Sequence, residues 1–280
     1  MSLVRVLLGT GLVVRHTFYV DETPTDATGT PTWTLTRLDG TSVGSGSATH
    51  PGPAGVYEVS ISAQAQLDSL VLTWTAVVAA VPVVSTDVIE VVGGYLFGLA
   101  EARALPPALS SVKYPTATLA TKRTGVEVEC EEICGQAFVP RFGRVALSGT
   151  GTNPWLILPR TNVRAIRSIK VSGTTVTGYE FTPHGTIYSG GAEWTWGRGN
   201  VIVEFEYGMA YPPVDLAEAA MLRLRTRLTL TDSGVPQNAL SFSIGDGGVY
   251  RLATPSAQAT GVPDVDGAYA RYTPVVAGFA

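Results

Sequence analysis

The chain has 280 residues, a formal net charge of −4 and only 15% charged residues, whereas roughly 25% is usual in soluble domains. Its 19 lysines and arginines are scattered without a basic run, which argues against nucleic-acid binding driven by phosphate neutralisation. A lightly charged surface is typical of a protein covered by neighbouring chains, although an Ala- and Val-rich source proteome explains the same composition. No stretch reaches the about 18 unbroken apolar residues of a membrane span, so we expect no membrane partner.

Residues 1–93 predict an independent β domain. Short apolar or alternating runs bounded by turn residues indicate six strands, at Val4–Leu8, Leu12–Tyr19, Trp33–Leu38, Gly55–Ser62, Leu70–Val78 and Ser85–Val92. Six short strands at this spacing are typical of an immunoglobulin-like β-sandwich. The region has no cysteine for an inter-sheet disulfide, so we expect Trp33 or Trp74 to fill its centre.

A long amphipathic helix is predicted next, after a short helix at Leu96–Ala104. Apolar side chains recur three, four and seven residues apart, which indicates a helix from about Thr116 to about Phe138. Thr116 and Thr118 offer capping hydroxyls, and Pro140 stops the helix soon after Phe138. One face is apolar, so the helix must pack on another element.

The two cysteines, Cys130 and Cys134, lie four residues apart on this helix. Their spacing does not suit an unstrained disulfide, so we interpret them as small buried hydrophobic residues. A metal site would need two further ligands, and the three histidines lie in unrelated segments.

The pattern after the helix changes to period two and predicts a sheet. The strands are Arg144–Leu147, Trp155–Leu158, Val163–Val171, Gly178–Phe181, Thr186–Tyr188 and Val201–Tyr207. The apolar residues of Val163–Val171 do not keep one parity, so its inner face stays open. A second helix is predicted at Asp215–Leu230, where Asp215 and Glu218 have the spacing of a capping box.

The last 46 residues, 235–280, are rich in Gly, Ser, Ala and Pro. Such a segment does not form a core by itself, so we expect an extended arm that becomes ordered on a partner. The sequence therefore predicts three parts: an immunoglobulin-like β-sandwich at 1–93, an α+β domain with two main helices and a small sheet at 94–234, and the arm at 235–280. The fold class is mainly β with α.

No catalytic constellation stands out, so we expect no enzyme activity, no cofactor and no metal. Gly245–Gly248 is interpreted as a turn, because a calcium loop needs further carboxylates. Glu127, Glu131 and Glu132 belong to an acidic patch on the long helix. Carboxylates at these spacings form a solvated face or meet basic residues of a neighbouring subunit.

Four segments carry a resemblance to a known family. They are CEEICGQAFVPRFGR, LSGTGTNPWLILP, VRAIRSIKVSG and VIVEFEYGMAYPPVDLAEAAMLRL, followed by SIGDGGVYRLAT and TGVPDVDGAYARY. Together they resemble the head-to-tail connector (adaptor) proteins of long-tailed bacteriophages, over roughly Leu96 to Tyr272. Residues 1–92 fall outside this resemblance and are similar to the immunoglobulin-like additions of virion proteins.

The resemblance implies a structural protein of the virion neck, assembled in the host bacterial cytoplasm as a dodecameric ring. Its expected partners are its own copies, the portal protein, other neck or tail-completion proteins, and passing genomic DNA that is bound without sequence specificity. The ring would line the DNA channel, and the acidic helix would let DNA slide. The implied subunit-interface residues are Glu127, Glu131, Glu132, Arg141, Phe142, Arg223, Arg227, Tyr250, Arg251 and Tyr272, with the glutamates facing Arg223, Arg225 or Arg227 for registry.

Two other classes of protein remain open. A carbohydrate- or receptor-binding virion surface protein is favoured by the β-sandwich and by the Trp and Tyr content. A cell-wall enzyme would need a pair of carboxylates or a metal site in a cleft, and the sequence shows neither.

Overall fold

The computed structural model describes residues 2–106, 108–190, 193–233, 241–243, 249–251 and 260–274, with side chains described up to 229 and again from 260. Its helices are α1 (Leu99–Ala104), α2 (Thr116–Cys134), α3 (Val214–Ser233) and α4 (Pro263–Tyr272). Its first nine strands are β1 (Leu3–Leu7), β2 (Leu12–Thr17), β3 (Tyr19–Val20), β4 (Thr23–Pro24), β5 (Thr32–Arg37), β6 (Ser42–Ser47), β7 (Val56–Ile61), β8 (Asp68–Val78) and β9 (Val81–Val92). The other strands are β10 (Arg141–Gly149), β11 (Trp155–Ile157), β12 (Val163–Val171), β13 (Thr174–Thr175), β14 (Glu180–Phe181), β15 (Thr186–Tyr188), β16 (Gly197–Tyr207), β17 (Ser241–Ser243) and β18 (Val249–Arg251).

The chain forms two compact units, and each is discontinuous in sequence. The first unit contains Met1–Gly94 and Pro140–Gly208, and the second contains Tyr95–Val139 and Met209–Ala280. The predicted division at 93/94 lies beside one of these boundaries, but the strands of 140–208 group with the N-terminal region. Gly93 donates its N–H to the Pro140 carbonyl at 2.9 Å, and β10 lies against β8 and β9, which explains the grouping.

The N-terminal part of the first unit has a five-stranded and a two-stranded sheet around one core, and β3 and β4 form a further short pair. Five strands pair in the order β1-β9-β8-β5-β6, with β1 parallel to β9, and β2 pairs with β7 in a separate sheet. Val14 and Val59 from the small sheet pack with Leu72 and Trp74 from the large one. Trp74 is fully buried, which confirms the prediction that a tryptophan fills the centre.

The rest of the first unit is built on an antiparallel sheet in the order β10-β16-β12-β13, beside a smaller sheet β11-β15-β14. Val201, Val203 and Phe205 are buried on one side of β16. The pairing of β12 with β16 shifts between Val163 and Ala165 and again between Ile166 and Ser168. Because a bulge moves later side chains to the other face, these shifts explain why the apolar residues of β12 lack one parity.

The second unit is helical. α2 begins at Thr116 as predicted but ends at Cys134, before the predicted Phe138, because Gly135 takes a left-handed backbone with φ 65°. The predicted threonine caps were wrong, since the N-cap is Pro115 and makes no side-chain cap bond. Cys130 and Cys134 are free and buried, which confirms their interpretation as core residues.

The C-terminal region corrects the prediction of an extended arm over 235–280. Pro263–Tyr272 form α4, whose buried Val265, Ala268 and Tyr269 pack in the core of α2 and α3. The missed signal is helical spacing, since Val265, Ala268, Tyr269 and Tyr272 fall three, four and seven apart.

Across the described ranges, we find no helix with the length and apolarity that crossing a membrane requires.

Candidate assembly surfaces

The predicted basic residues of α3 are engaged inside the second unit. Arg223 binds Glu129 of α2 through two hydrogen bonds, Nε to Oε2 at 3.0 Å and Nη2 to Oε1 at 2.8 Å. Arg227 Nη2 reaches the same carboxylate at 2.9 Å. The hydrogen bonds that Arg223 donates to Glu129 raise the pKa of Arg223 above its usual value. Arg223 and Arg227 therefore pair within one chain with Glu129, which was not among the three glutamates expected to face them.

Glu127 occupies the core of the second unit. Its side chain is fully buried, and its Oε1 accepts a hydrogen bond from the Leu96 amide at 2.9 Å. Such a carboxylate presents no charge to a partner surface or to a channel, so the expectation for Glu127 was wrong. The sequence held the signal, because Glu127 precedes Cys130 by three residues and Cys134 by seven and so lies on the buried stripe.

Glu131 and Glu132 lie farther along α2. Glu131 is half-buried, and Glu132 is exposed. Their role at a subunit interface stays a prediction.

Tyr272 connects the end of α4 to the start of α3. Its hydroxyl donates to Asp215 Oδ1 at 2.7 Å, and its ring packs edge-on against Phe138 with centroids 5.6 Å apart. The bond to Tyr272 lowers the pKa of Asp215, so Asp215 serves this contact. The predicted interface residue Tyr272 thus has an internal role.

The remaining predicted interface residues are in β10 and β18. Arg141 is buried. Phe142 is half-buried, and its ring lies 5.1 Å from the Arg167 guanidinium carbon. Tyr250 and Arg251 belong to β18, and their side chains lie outside the described part of the chain.

Large apolar side chains that the sequence reasoning missed face outward in both units. Ile157 and Trp196 of the first unit are 74% and 79% exposed, and Tyr211 and Val214 of the second are 85% and 75% exposed. Trp155 is half-exposed and packs against Tyr188, with ring centroids 4.4 Å apart and ring planes tilted by 33°. Trp155 and Ile157 share a parity in β11, so strand alternation with the buried Leu156 between them could have indicated this outer face.

The described residues hold no group of three His, Cys, Asp or Glu side chains placed to bind a metal ion. The predicted interface residues and their neighbours instead form ion pairs, packing contacts and an outward apolar set.

Comparison with protein-family models and with curated proteins gives no match. Solved structures do match. One chain comes from the neck of an empty gene transfer agent (GTA) particle computed with C6 symmetry, with 19% identity and a TM-score of 0.46 over 64% of this chain and 90% of that chain. Another comes from the neck of the native particle computed with C12 symmetry, with 19% identity and a TM-score of 0.41 over 64% of this chain and 93% of that one. A third comes from the virion of the native particle, with 19% identity and a TM-score of 0.44 over 64% and 90% of the two chains.

Proposed function

We propose that this chain is a structural protein of a virion neck. Twelve copies form a ring that joins the portal to the tail and lines the channel for the genome, and the N-terminal β domain is an immunoglobulin-like addition. The ring contacts the portal and other neck proteins, and DNA passes without sequence-specific binding.

The observation that carries an assembly role is the outward apolar set. A soluble monomer leaves single apolar residues exposed as a matter of course, but exposed clusters mark interaction surfaces. Tyr211 and Val214 flank Pro212-Pro213 at the start of α3, so four neighbouring positions present apolar surface there. Burial of these residues against another copy would stabilise a ring by removing that surface from water.

The neck is suggested by the resemblance of segments between Leu96 and Tyr272 to connector proteins. These segments contain the end of α2, most of β16 and the first half of α3, whose buried residues belong to the cores of their units.

Native mass spectrometry of the full chain, with and without the portal protein of the same particle, tests this function. We expect a ring of twelve copies on the portal. The double variant Tyr211→Ser/Val214→Ser should weaken ring formation by at least about tenfold, since apolar anchors dominate interfaces. Val84→Ser is a matched control, because Val84 is an exposed apolar residue of β9, outside the connector-like segments.

A wild-type chain that stays monomeric with the portal would refute the neck function. A double variant that assembles as well as wild type would remove Tyr211 and Val214 from the interface.

A second candidate, a carbohydrate-binding virion surface protein, is favoured by the half-exposed Trp155 ring, which packs against Tyr188. Sugar rings pack on such flat aromatic surfaces. A glycan array with the wild type and with Trp155→Ala separates the two functions, because a neck protein binds no glycan in either form.

A further inference from the structure

A polar cavity of about 230 Å³ lies in the first unit and is lined in part by residues of β10, β12 and β16. Three arginines reach it, Arg37 from β5, Arg144 from β10 and Arg167 from β12. Three carboxylates line it as well, those of Asp39, Asp68 and Glu204. A water molecule takes up about 30 Å³ in the liquid. The cavity therefore has room for a polyatomic ligand.

Two of the arginines have protein partners for their N–H groups. Arg167 donates from Nε and Nη2 to Glu206 Oε1 at 2.8 and 2.6 Å, and from Nη1 to the Leu67 carbonyl at 2.6 Å. Arg37 donates from both terminal nitrogens to the Gln66 side-chain oxygen at 2.8 and 3.1 Å, with that amide turned so that its oxygen faces the guanidinium.

Arg144 differs from both. Its Nε is buried and has no hydrogen-bond partner among the described residues. Its ion-pair contact with Glu204 Oε1 spans 3.4 Å, beyond the about 3.2 Å of an N–H···O bond. A buried donor without a partner is rare in folded proteins and calls for an explanation such as a bound ion.

The carboxylates of the cavity already accept hydrogen bonds. Glu204 Oε2 accepts from the Ser168 hydroxyl at 2.9 Å. Asp68 Oδ1 accepts from the Ser69 amide at 2.9 Å, and Arg37 Nε lies 3.4 Å from Asp68 Oδ2. Asp39, the third carboxylate of the lining, accepts from the Thr41 amide at 2.9 Å. Each of these carboxylates therefore accepts a hydrogen bond, whereas the buried Arg144 Nε donates none, so its missing partner supplies acceptor oxygens. The three arginines and the three carboxylates balance in formal charge, so the unmet Arg144 Nε donor, rather than net charge, favours a ligand with acceptor oxygens over a cation.

We propose that this cavity binds an oxyanion, either a phosphate or a carboxylate, with Arg144 as its principal donor. A planar guanidinium matches two oxygens of such a group, which a lysine cannot do. The anion comes from one of two sources. One is a free ion, and the other is a carboxylate carried by another copy of the chain, which rests on the proposed ring.

Calorimetric titration of the full chain with sodium phosphate, and separately with sodium acetate, at constant ionic strength tests the site. We expect saturable binding of one anion per chain, and an affinity at least about tenfold lower in Arg144→Gln. Arg144→Lys should fall between the two, since it keeps the charge and loses the fork of donors. Arg15→Gln is the matched control, because Arg15 is an exposed arginine of the same unit that pairs with Glu58 away from the cavity lining.

Circular dichroism of each variant shows whether the fold is kept. The proposal fails if neither anion binds the wild type saturably, or if a folded Arg144→Gln binds as the wild type does.

Sedimentation of the wild type at saturating phosphate distinguishes the two sources. Unchanged self-association indicates a free ion, and weakened self-association, reproduced by Arg144→Gln, indicates a carboxylate of another copy. A wild-type chain that binds phosphate but forms no ring on the portal would refute the neck function and leave the anion site supported.

Discussion

Each unit of this protein holds a carboxylate in its core, and the two are used differently. In the first unit Asp87 of β9 is buried and accepts from the Trp74 indole at 3.0 Å and from the Ser2 amide and hydroxyl at 3.0 and 2.8 Å. It joins residues that are 13 and 85 positions away. In the second unit Glu127 of α2 accepts from the Leu96 amide, which belongs to the segment before α1.

The comparison teaches what decides where a charged residue is buried. In the sheet core, a side-chain indole and a residue next to a strand end supply the donors. In the helical unit, a backbone amide in a nonhelical segment does so. A buried N–H donor needs an acceptor. In both units, the buried carboxylate lies where it supplies that acceptor.

Glu127→Ala gives the largest expected effect and tests whether the helical core depends on its carboxylate. The change leaves the Leu96 amide buried without an acceptor and opens a cavity, so we expect a loss of about 3 kcal/mol in unfolding free energy. Urea denaturation measures it. Glu132→Ala is the matched control, because that exposed glutamate should cost at most about 0.5 kcal/mol. Equal losses in the two variants would contradict the buried role of Glu127.

Asp87→Ala makes the corresponding test in the sheet core. The Trp74 indole N–H loses its acceptor, and the expected loss is about 2 kcal/mol. A double-mutant cycle uses Trp74→Phe, which removes the donor of the same bond. The double variant should lose less unfolding free energy than the sum of the two single losses, since each single variant already breaks that bond. Fully additive losses would show that the bond contributes nothing.

Glu129→Gln tests the α2–α3 ion pair, for which we expect a loss of about 1–2 kcal/mol. A double-mutant cycle with Arg223→Gln isolates the coupling energy between the two side chains. We expect it to be measurable, because both side chains are mostly buried and solvent screens their charges little. If Glu129 and Arg223 instead pair with other copies, the coupling energy will depend on protein concentration.

The sequence predicted well the elements whose side chains alternate or repeat clearly. Strand β12 has the predicted bounds, and α2 begins at the predicted residue. Strand β6, with the sequence SVGSGS, was missed because Gly and Ser are poor strand formers. Its glycines have a packing reason instead, since a Cβ on Gly46 would lie 3.3 to 3.4 Å from the Trp33 ring.

The candidate interface was predicted less well, for a physical reason. The sequence places four glutamates on α2, but which of them meets an arginine depends on how α3 lies against it. Helical spacing alone identified the acidic patch, and only the packed structure distinguishes the buried Glu127 from the paired Glu129. The cavity at Arg144 combines strands from distant parts of the chain, so no local pattern indicates it.

The smallest expected effect is a pH dependence that belongs to the sheet core. His16 stacks on Trp74 with ring centroids 5.4 Å apart, and burial lowers its pKa although Asp87, 3.6 Å away, opposes the shift. The unfolded chain then binds a proton more readily than the folded one, so stability falls as pH decreases from about 6.5 through the lowered pKa and levels off below it.

Urea denaturation between about pH 7 and pH 5 measures how steeply the unfolding free energy changes with pH. His16→Gln should reduce this slope, and His184→Gln should leave it unchanged. The control is suitable because His184 is exposed and lies in the loop between β14 and β15, outside the core around Trp74. An identical slope in wild type and His16→Gln would show that the buried imidazole does not couple to folding. A reduced slope would place the pH sensitivity in the sheet core, beside Asp87, rather than in the helical unit around Glu127.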